Sequence, residues 1–261
     1  MESTDEPTTF LFVAGVARSG TTALTNVLAS HRQIVIGIER FKFLLGQRTI
    51  RDFVPRYFEK EAFFDFSDGL TNLTPDHADH GPFVTRFYER MREKFDTATY
   101  FGDKVPNNFW FLDDLHRQFA PLRLIFIFRD VAEVALSWDQ RAMNPADGWP
   151  SQNGTHRAVD TWNEAIARYT KFAELHPHTV LPLEHSKFFG DAGGSGAELE
   201  RAMNFLKLDV DASVATAYGH ACNRYRTGIV SKPRSLSPDL EAYIAEHADL
   251  AGMQNIFSSS S

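Results

Sequence analysis

The chain of 261 residues carries one cysteine, Cys222. No internal disulfide can form, and a reducing, cytoplasmic compartment is the expectation. Positive charge is also scarce. Lys and Arg number 27 against 34 Asp and Glu, which gives a net charge of −7. A basic surface for nucleic acid is therefore not expected, although a local basic pocket for a small anion is compatible with this balance. Long apolar runs are missing. Those around Phe10–Ala17 and Leu122–Phe128 fall far short of the ~20 residues of a spanning helix. Met1–Thr9 is acidic and polar and lacks the basic start of a signal peptide. There is no repeat of fixed period and no long low-complexity linker. Residues 1–261 read as a single domain with loose ends at 1–8 and 258–261. A chain of this length buries roughly 70–75% of its unfolded surface and needs no metal or disulfide to hold a core.

What is present alternates between two periods. Phe10–Gly15, Ile34–Ile38, Arg123–Phe128 and Thr179–Leu183 are short apolar runs of strand type. The third is apolar at nearly every position, as a strand buried on both faces should be. Helical spacing follows in Thr21–Ser30, Asn107–Phe119, Val131–Ala142, His156–Leu175, Gly196–Leu206, Ser213–His220 and Pro238–Glu246. Strands alternating with helices predict an α/β fold with a central parallel sheet flanked by helices. Ligands of such sheets bind at the carboxyl ends of the strands.

The strongest local signal is Gly15-Val16-Ala17-Arg18-Ser19-Gly20-Thr21-Thr22, placed between the first strand and the first helix. Glycines let the backbone wrap an anion, and the helix N-terminus offers free N–H groups and a favourable dipole. Ser19, Thr21 and Thr22 add hydroxyls, and Arg18 adds a permanent fork-shaped cation. The spacing imitates the nucleotide-triphosphate P-loop, but Thr21 stands at the lysine position. That weakens a kinase or GTPase reading. A second anion site is suggested by Arg129, directly after the third strand, and Ser137, eight residues later on the next helix. Two such sites on one sheet edge suit a nucleotide with two separated phosphates.

These two motifs together resemble the sulfotransferases that use 3′-phosphoadenosine 5′-phosphosulfate (PAPS), which share a P-loop-like fold. The resemblance implies that Arg18, Ser19, Gly20, Thr21 and Thr22 cradle the 5′-phosphosulfate and that Arg129 and Ser137 hold the 3′-phosphate. Gly102-Asp103-Lys104-Val105-Pro106 is similar to the segment in the carbohydrate and tyrosylprotein types that brings a lysine to the leaving oxygen, and Lys104 matches it. Glu39 matches the glutamate that serves as base in the tyrosylprotein type and in several bacterial members. Arg226-Thr227-Gly228, with Lys232 and Arg234 beyond it, more loosely resembles a C-terminal segment that closes over the 3′-phosphate. It lacks that segment's tryptophan, and a solvated basic loop is the other reading. The implied reaction moves a sulfuryl group to a hydroxyl or amine and leaves adenosine 3′,5′-bisphosphate (PAP), with no metal required. The partner would be a small-molecule, lipid, glycan or peptide acceptor, with 41–98 and 139–160 as acceptor-side insertions. A small-molecule kinase and a non-catalytic nucleotide-binding protein stand as alternatives.

Other clusters read more plainly. Asp76-His77-Ala78-Asp79-His80 has metal-ligand residue types but no closed set of four, and reads as a turn-rich loop. His31 ends the first helix, where it meets the dipole. His176 and His178 face solvent, and Cys222 is a small buried side chain. Seven of the phenylalanines fall within Phe41–Phe66, either as an acceptor pocket or as helices packing a small subdomain, with packing favoured. Asn144–Asn153 is a loop able to gate the acceptor site.

Overall fold

The computed structural model describes residues 8–46, 50–190, 196–231 and 236–258. Lys232, Arg234 and most of the expected Asp191–Gly196 loop lie outside the described residues, as do the two chain ends except Thr8 and Ser258. Strand β1 is Thr9–Ala14, β2 Ile34–Ile38, β3 Tyr100–Lys104, β4 Leu122–Phe128 and β5 Val180–Glu184. Helix α1 is Thr21–Leu28, α2 Lys42–Gly46, α3 Lys60–Phe64, α4 Gly81–Lys94, α5 Leu112–Gln118 and α6 Val131–Ala142. They are followed by α7 Thr155–Leu175, α8 His185–Phe189, α9 Ala197–Phe205, α10 Ala212–Ser231, α11 Pro238–His247 and α12 Leu250–Ser258. All strand pairs are parallel, in the order β2-β3-β1-β4-β5. The chain is thus an α/β domain with one parallel sheet and helices around it.

The register aligns the functional ends. Val13 of β1 sits opposite Lys104 of β3 and Ile125 of β4, and Ile38 of β2 also sits opposite Lys104. The carboxyl ends of β1, β2, β3 and β4 therefore finish on one edge. The first turn after each can reach its neighbours.

Strand β3 was not among the expected strands. Gly102, Asp103 and Lys104 are poor strand formers, yet every residue of β3 is buried. Pairing on both sides overrides propensity there. Helices α4 and α12 were also not expected. The expected helix Asn107–Phe119 is split, with a tight 3-10 segment over Pro106–Phe111 before α5. Arg226-Thr227-Gly228 is not a loop, because α10 continues through it to Ser231.

The phenylalanine-rich segment packs as core. Phe41, Phe53, Phe58 and Phe63 are buried. Phe12 meets Phe53, Phe58 and Phe119 edge-on at 5.1–5.9 Å between centroids, a geometry that adds to simple area burial. Phe43 alone of the group is largely exposed, at 41%. Two histidine expectations are corrected. Helix α1 ends before His31, which is itself buried, and Lys94 Nζ serves the helix end by donating to the Ala29 and His31 carbonyls. His176 is half-buried against His116, with ring centroids 4.0 Å apart. Cys222 is buried. No described helix is long and apolar enough to cross a membrane.

Candidate active site

The loop after β1, the expected anion cradle, turns tightly into α1. Arg18 and Gly20 both adopt positive φ, 77° and 88°, and the Ser19 N–H between them closes the turn on the Val16 carbonyl at 3.0 Å. Gly20 is the N-cap of α1. A Cβ there would stand 2.6 Å from His185 Cδ2, so the position demands glycine for close approach as well as for its conformation. Ser19 and Thr21 are buried and Thr22 is exposed.

Arg129, directly after β4, and residues of α6 lock this loop from the side. Arg129 donates from Nη1 to the Arg18 carbonyl at 2.9 Å and from Nε to Glu133 Oε2 at 2.6 Å. Arg18 donates from Nε to Ser137 Oγ at 3.1 Å. Trp138 Nε1 donates to the Ala17 carbonyl at 2.9 Å. The two motifs that are 111 residues apart in sequence thus form one hydrogen-bonded unit. Arg129 and Ser137 both belong to it, Arg129 through the Arg18 carbonyl and Ser137 through the Arg18 guanidinium.

On the other flank, Glu39 follows the last residue of β2 with φ 55°. A glutamate in the left-handed region is held there at a cost of about 1–2 kcal/mol, so neighbouring contacts must impose it. Asp103 supplies them. Its wholly buried carboxylate accepts from the backbone N–H groups of Arg40, Phe41 and Lys104. Gly37 leaves room for that carboxylate, since a Cβ there would lie 2.7 Å from Asp103 Oδ1. Burial pushes the Asp103 carboxyl up to about 6, against the pull of its N–H donors.

Lys104, 1% exposed, reaches Glu39 Oε1 at 3.0 Å. Lys42 approaches Oε2 at 3.1 Å. Burial raises the Glu39 carboxyl, but the two ammonium groups outweigh it and hold the pKa below the usual glutamate value. Arg40, the obvious surface partner for Glu39 in sequence, turns away. Its guanidinium is buried against the Phe63, Ala62 and Asp65 carbonyls and the Asp68 carboxylate. The Gly15 N–H donates to the Pro106 carbonyl at 3.2 Å, which ties the segment after Lys104 to the start of the cradle.

A cavity of about 900 Å³ opens beside the cradle, bounded by α1, α4, α6, α8, α10 and α11. Thr22, Arg129, His185, Arg224 and Tyr225 are among its lining residues; Glu39, Lys104 and Ser137 are not. The volume suits a nucleotide-sized ligand. Arg226 is exposed and does not line it, whereas Arg224, two residues earlier, does. Neither Arg224, His185 nor Lys42 belongs to a local sequence signal; only packing brings them to the site. Asp76–His80 forms turns in which His77 Nδ1 accepts from the Asp79 and His80 N–H groups. Among the described residues no group of three or more His, Cys, Asp or Glu is placed to hold a metal.

The chain matches the Sulfotransferase family over residues 11–212. None of the curated proteins matches it. Among solved structures it is similar to the sulfotransferase domain from the curacin biosynthetic pathway, with a TM-score of 0.56 and 16% identity over 97% of each chain. It is similar also to the sulfotransferase domain of the Synechococcus PCC 7002 olefin synthase, with a TM-score of 0.55 and 18% identity over 98% of this chain and 95% of that one. For sulfotransferase STF1 from Mycobacterium tuberculosis H37Rv the values are 0.51 and 17%, over 82% and 71%. At these identities the structures share the fold, and the family match extends over most of the sequence: the chain belongs to the sulfotransferase family.

Proposed function

We propose that the protein transfers a sulfuryl group from PAPS to a hydroxyl or amine of a small-molecule, lipid, glycan or peptide acceptor, with Glu39 as base. The observation that carries this reading is the Glu39–Lys104 pair, 3.0 Å apart on the strand edge that also carries the cradle. The residues present suit the nucleotide. The cavity holds Arg129 and Arg224 beside the N-terminus of α1, which supplies two cations and a helix dipole to a doubly phosphorylated ligand.

When bound, PAPS supplies the sulfuryl group and the leaving oxygen. The N–H groups of the cradle, with Arg18 and the hydroxyls of Ser19, Thr21 and Thr22, bind the 5′-phosphate. Arg129 and Ser137 serve the 3′-phosphate. Lys104 places its ammonium where negative charge develops on the leaving oxygen. Glu39 accepts the acceptor's proton, and Lys42 holds the second carboxylate oxygen until the acceptor arrives. Segments 41–98 and 139–160 flank Glu39 and Arg18 and form the acceptor side. Asp147 of the second segment is paired with Arg141 at 2.6 Å.

Calorimetric titration with PAP, with ATP–Mg²⁺ and 5′-AMP alongside, tests the reading. Tight binding of PAP that Arg129→Ala weakens about tenfold or more supports it. Binding of ATP–Mg²⁺ in place of PAP overturns it in favour of a kinase.

A further inference from the structure

The aromatic wall of the cavity contains a polar group with no structural task. His185 opens α8 and is 5% exposed. Its Nδ1 is fully buried and has no hydrogen-bond partner. The ring packs edge-on against Tyr225 and obliquely against Phe189, with centroids 5.0 Å away in both cases. Its opposite side meets the cradle, where a Cβ on Gly20 would lie 2.6 Å from Cδ2 and 3.0 Å from Nε2. The same residue lines the cavity with Thr22 and Arg129.

Two properties follow. Burial, and then the neighbouring Arg129 guanidinium, push the imidazole pKa down to about 3, so the ring is neutral over the physiological range. A neutral imidazole has one N–H and one lone pair. A buried N–H with no acceptor is rarer and costlier than a buried lone pair with no donor. The proton therefore belongs on Nε2, the nitrogen beside Gly20 and the start of α1.

We infer that His185 is a nucleotide-binding residue whose Nε2–H donates to an anionic oxygen seated between the N-terminus of α1 and Arg129. The inference rests on the nucleotide-dependent reading above. An uncharged donor suits this place, because a second cation packed against Arg129 would repel it. The orphaned Nδ1 is then the cost of presenting the other nitrogen to the ligand.

The test is PAP titration of the wild type, His185→Phe and His185→Gln. Phenylalanine keeps the ring packing and removes the donor, and glutamine restores an N–H. The expected result is a Kd raised about tenfold in His185→Phe, with most of the loss recovered in His185→Gln. Nitrogen-15 NMR of the wild type gives a second readout that needs no variant to fold. The His185 ring should show the Nε2–H tautomer, unchanged between about pH 5 and pH 8, and its Nε2 signal should move when PAP is added. An Nδ1–H tautomer, or protonation of the ring near pH 6, overturns the assignment. So does a phenylalanine variant that binds PAP as the wild type does. If the wild type itself does not bind PAP, the nucleotide-dependent reading fails and takes this one with it, which separates the two failures.

Discussion

Lys104 Nζ meets Glu39 Oε1 at 3.0 Å across 65 positions of sequence, and the Glu39 N–H returns to the Lys104 carbonyl at 2.7 Å. The two residues are thus joined by side chain and by backbone at the ends of adjacent strands. An ion pair with one member 1% exposed is expensive to break from one side, because the remaining charge stays buried. Glu39→Gln should therefore do two things. Sulfuryl transfer to an acceptor found by screening alcohols, phenols and amines should fall by about 10²–10⁴-fold. Thermal stability should fall as well, while PAP affinity measured on the folded protein stays within about twofold, since Glu39 does not line the cavity. Unchanged transfer would remove Glu39 from the role of base.

Lys42 bears on the titration of the proposed base. Glu39 lies below its ordinary pKa, because Lys104 and Lys42 together outweigh its burial. A depressed carboxyl remains ionised as pH falls through the usual glutamate range, so the acid limb of the rate profile should sit below about pH 4.5. Lys42→Ala removes one of the two ammonium groups and leaves the buried Lys104 in place. The acid limb should move to higher pH, by less than it would if both were lost. A pH–rate comparison of the two proteins checks this, and a limb that does not move would mean that Lys42 is an ordinary surface partner.

Asp103 links stability to pH in the opposite direction. Its native pKa of about 6 lies above the value near 3.9 expected of an unfolded aspartate. Between those two values the native state holds a proton that the unfolded state has released, so stability falls as pH rises through that window. In Asp103→Asn this contribution is absent. The variant should be less stable throughout, because its amide cannot accept from the Arg40, Phe41 and Lys104 N–H groups together. The stability gap should be widest near pH 4 and narrow toward pH 6 in denaturant titrations. A gap that widens with rising pH would show that the hydrogen bonds, and not burial, dominate the carboxylate.

Much of this architecture is legible in the residues, and the exceptions have physical causes. Strands β1, β2 and β4 are apolar runs buried almost throughout, and β5 is a mainly apolar edge strand, so their bounds fall within one or two residues of expectation. Strand β3 is invisible to periodicity because it spends Gly102, Asp103 and Lys104 on the site. The segment around Lys104 is marked instead by its resemblance to a known motif. Arg226 is what the resemblance implies, and a basic stretch read as a loop has no facing to test it against. In α10 it does have one. At about 100° per residue, Arg226 lies roughly 200° around the helix from Arg224. Arg224 and Gly228, four residues apart and so on one face, line the cavity. His185 carries no signal at all, since its role arises only when α8 is laid against Gly20.

That last contact supports a prediction of its own. Gly20→Ala introduces two separate costs. The first is conformational, since φ of 88° is left-handed and costs an alanine about 1 kcal/mol or more. The second is steric, since the new methyl would lie 2.6 Å from His185 Cδ2, and a ring packed between Phe189 and Tyr225 has little freedom to retreat. Only the second depends on the imidazole. In a double-mutant cycle, His185→Ala should therefore relieve part of the destabilisation caused by Gly20→Ala, leaving the conformational part. The coupling should reach about 1 kcal/mol or more in chemical denaturation, as for residues in direct contact. Strict additivity would mean that the cradle and α8 can separate freely, and Gly20 would then be required for its backbone conformation alone.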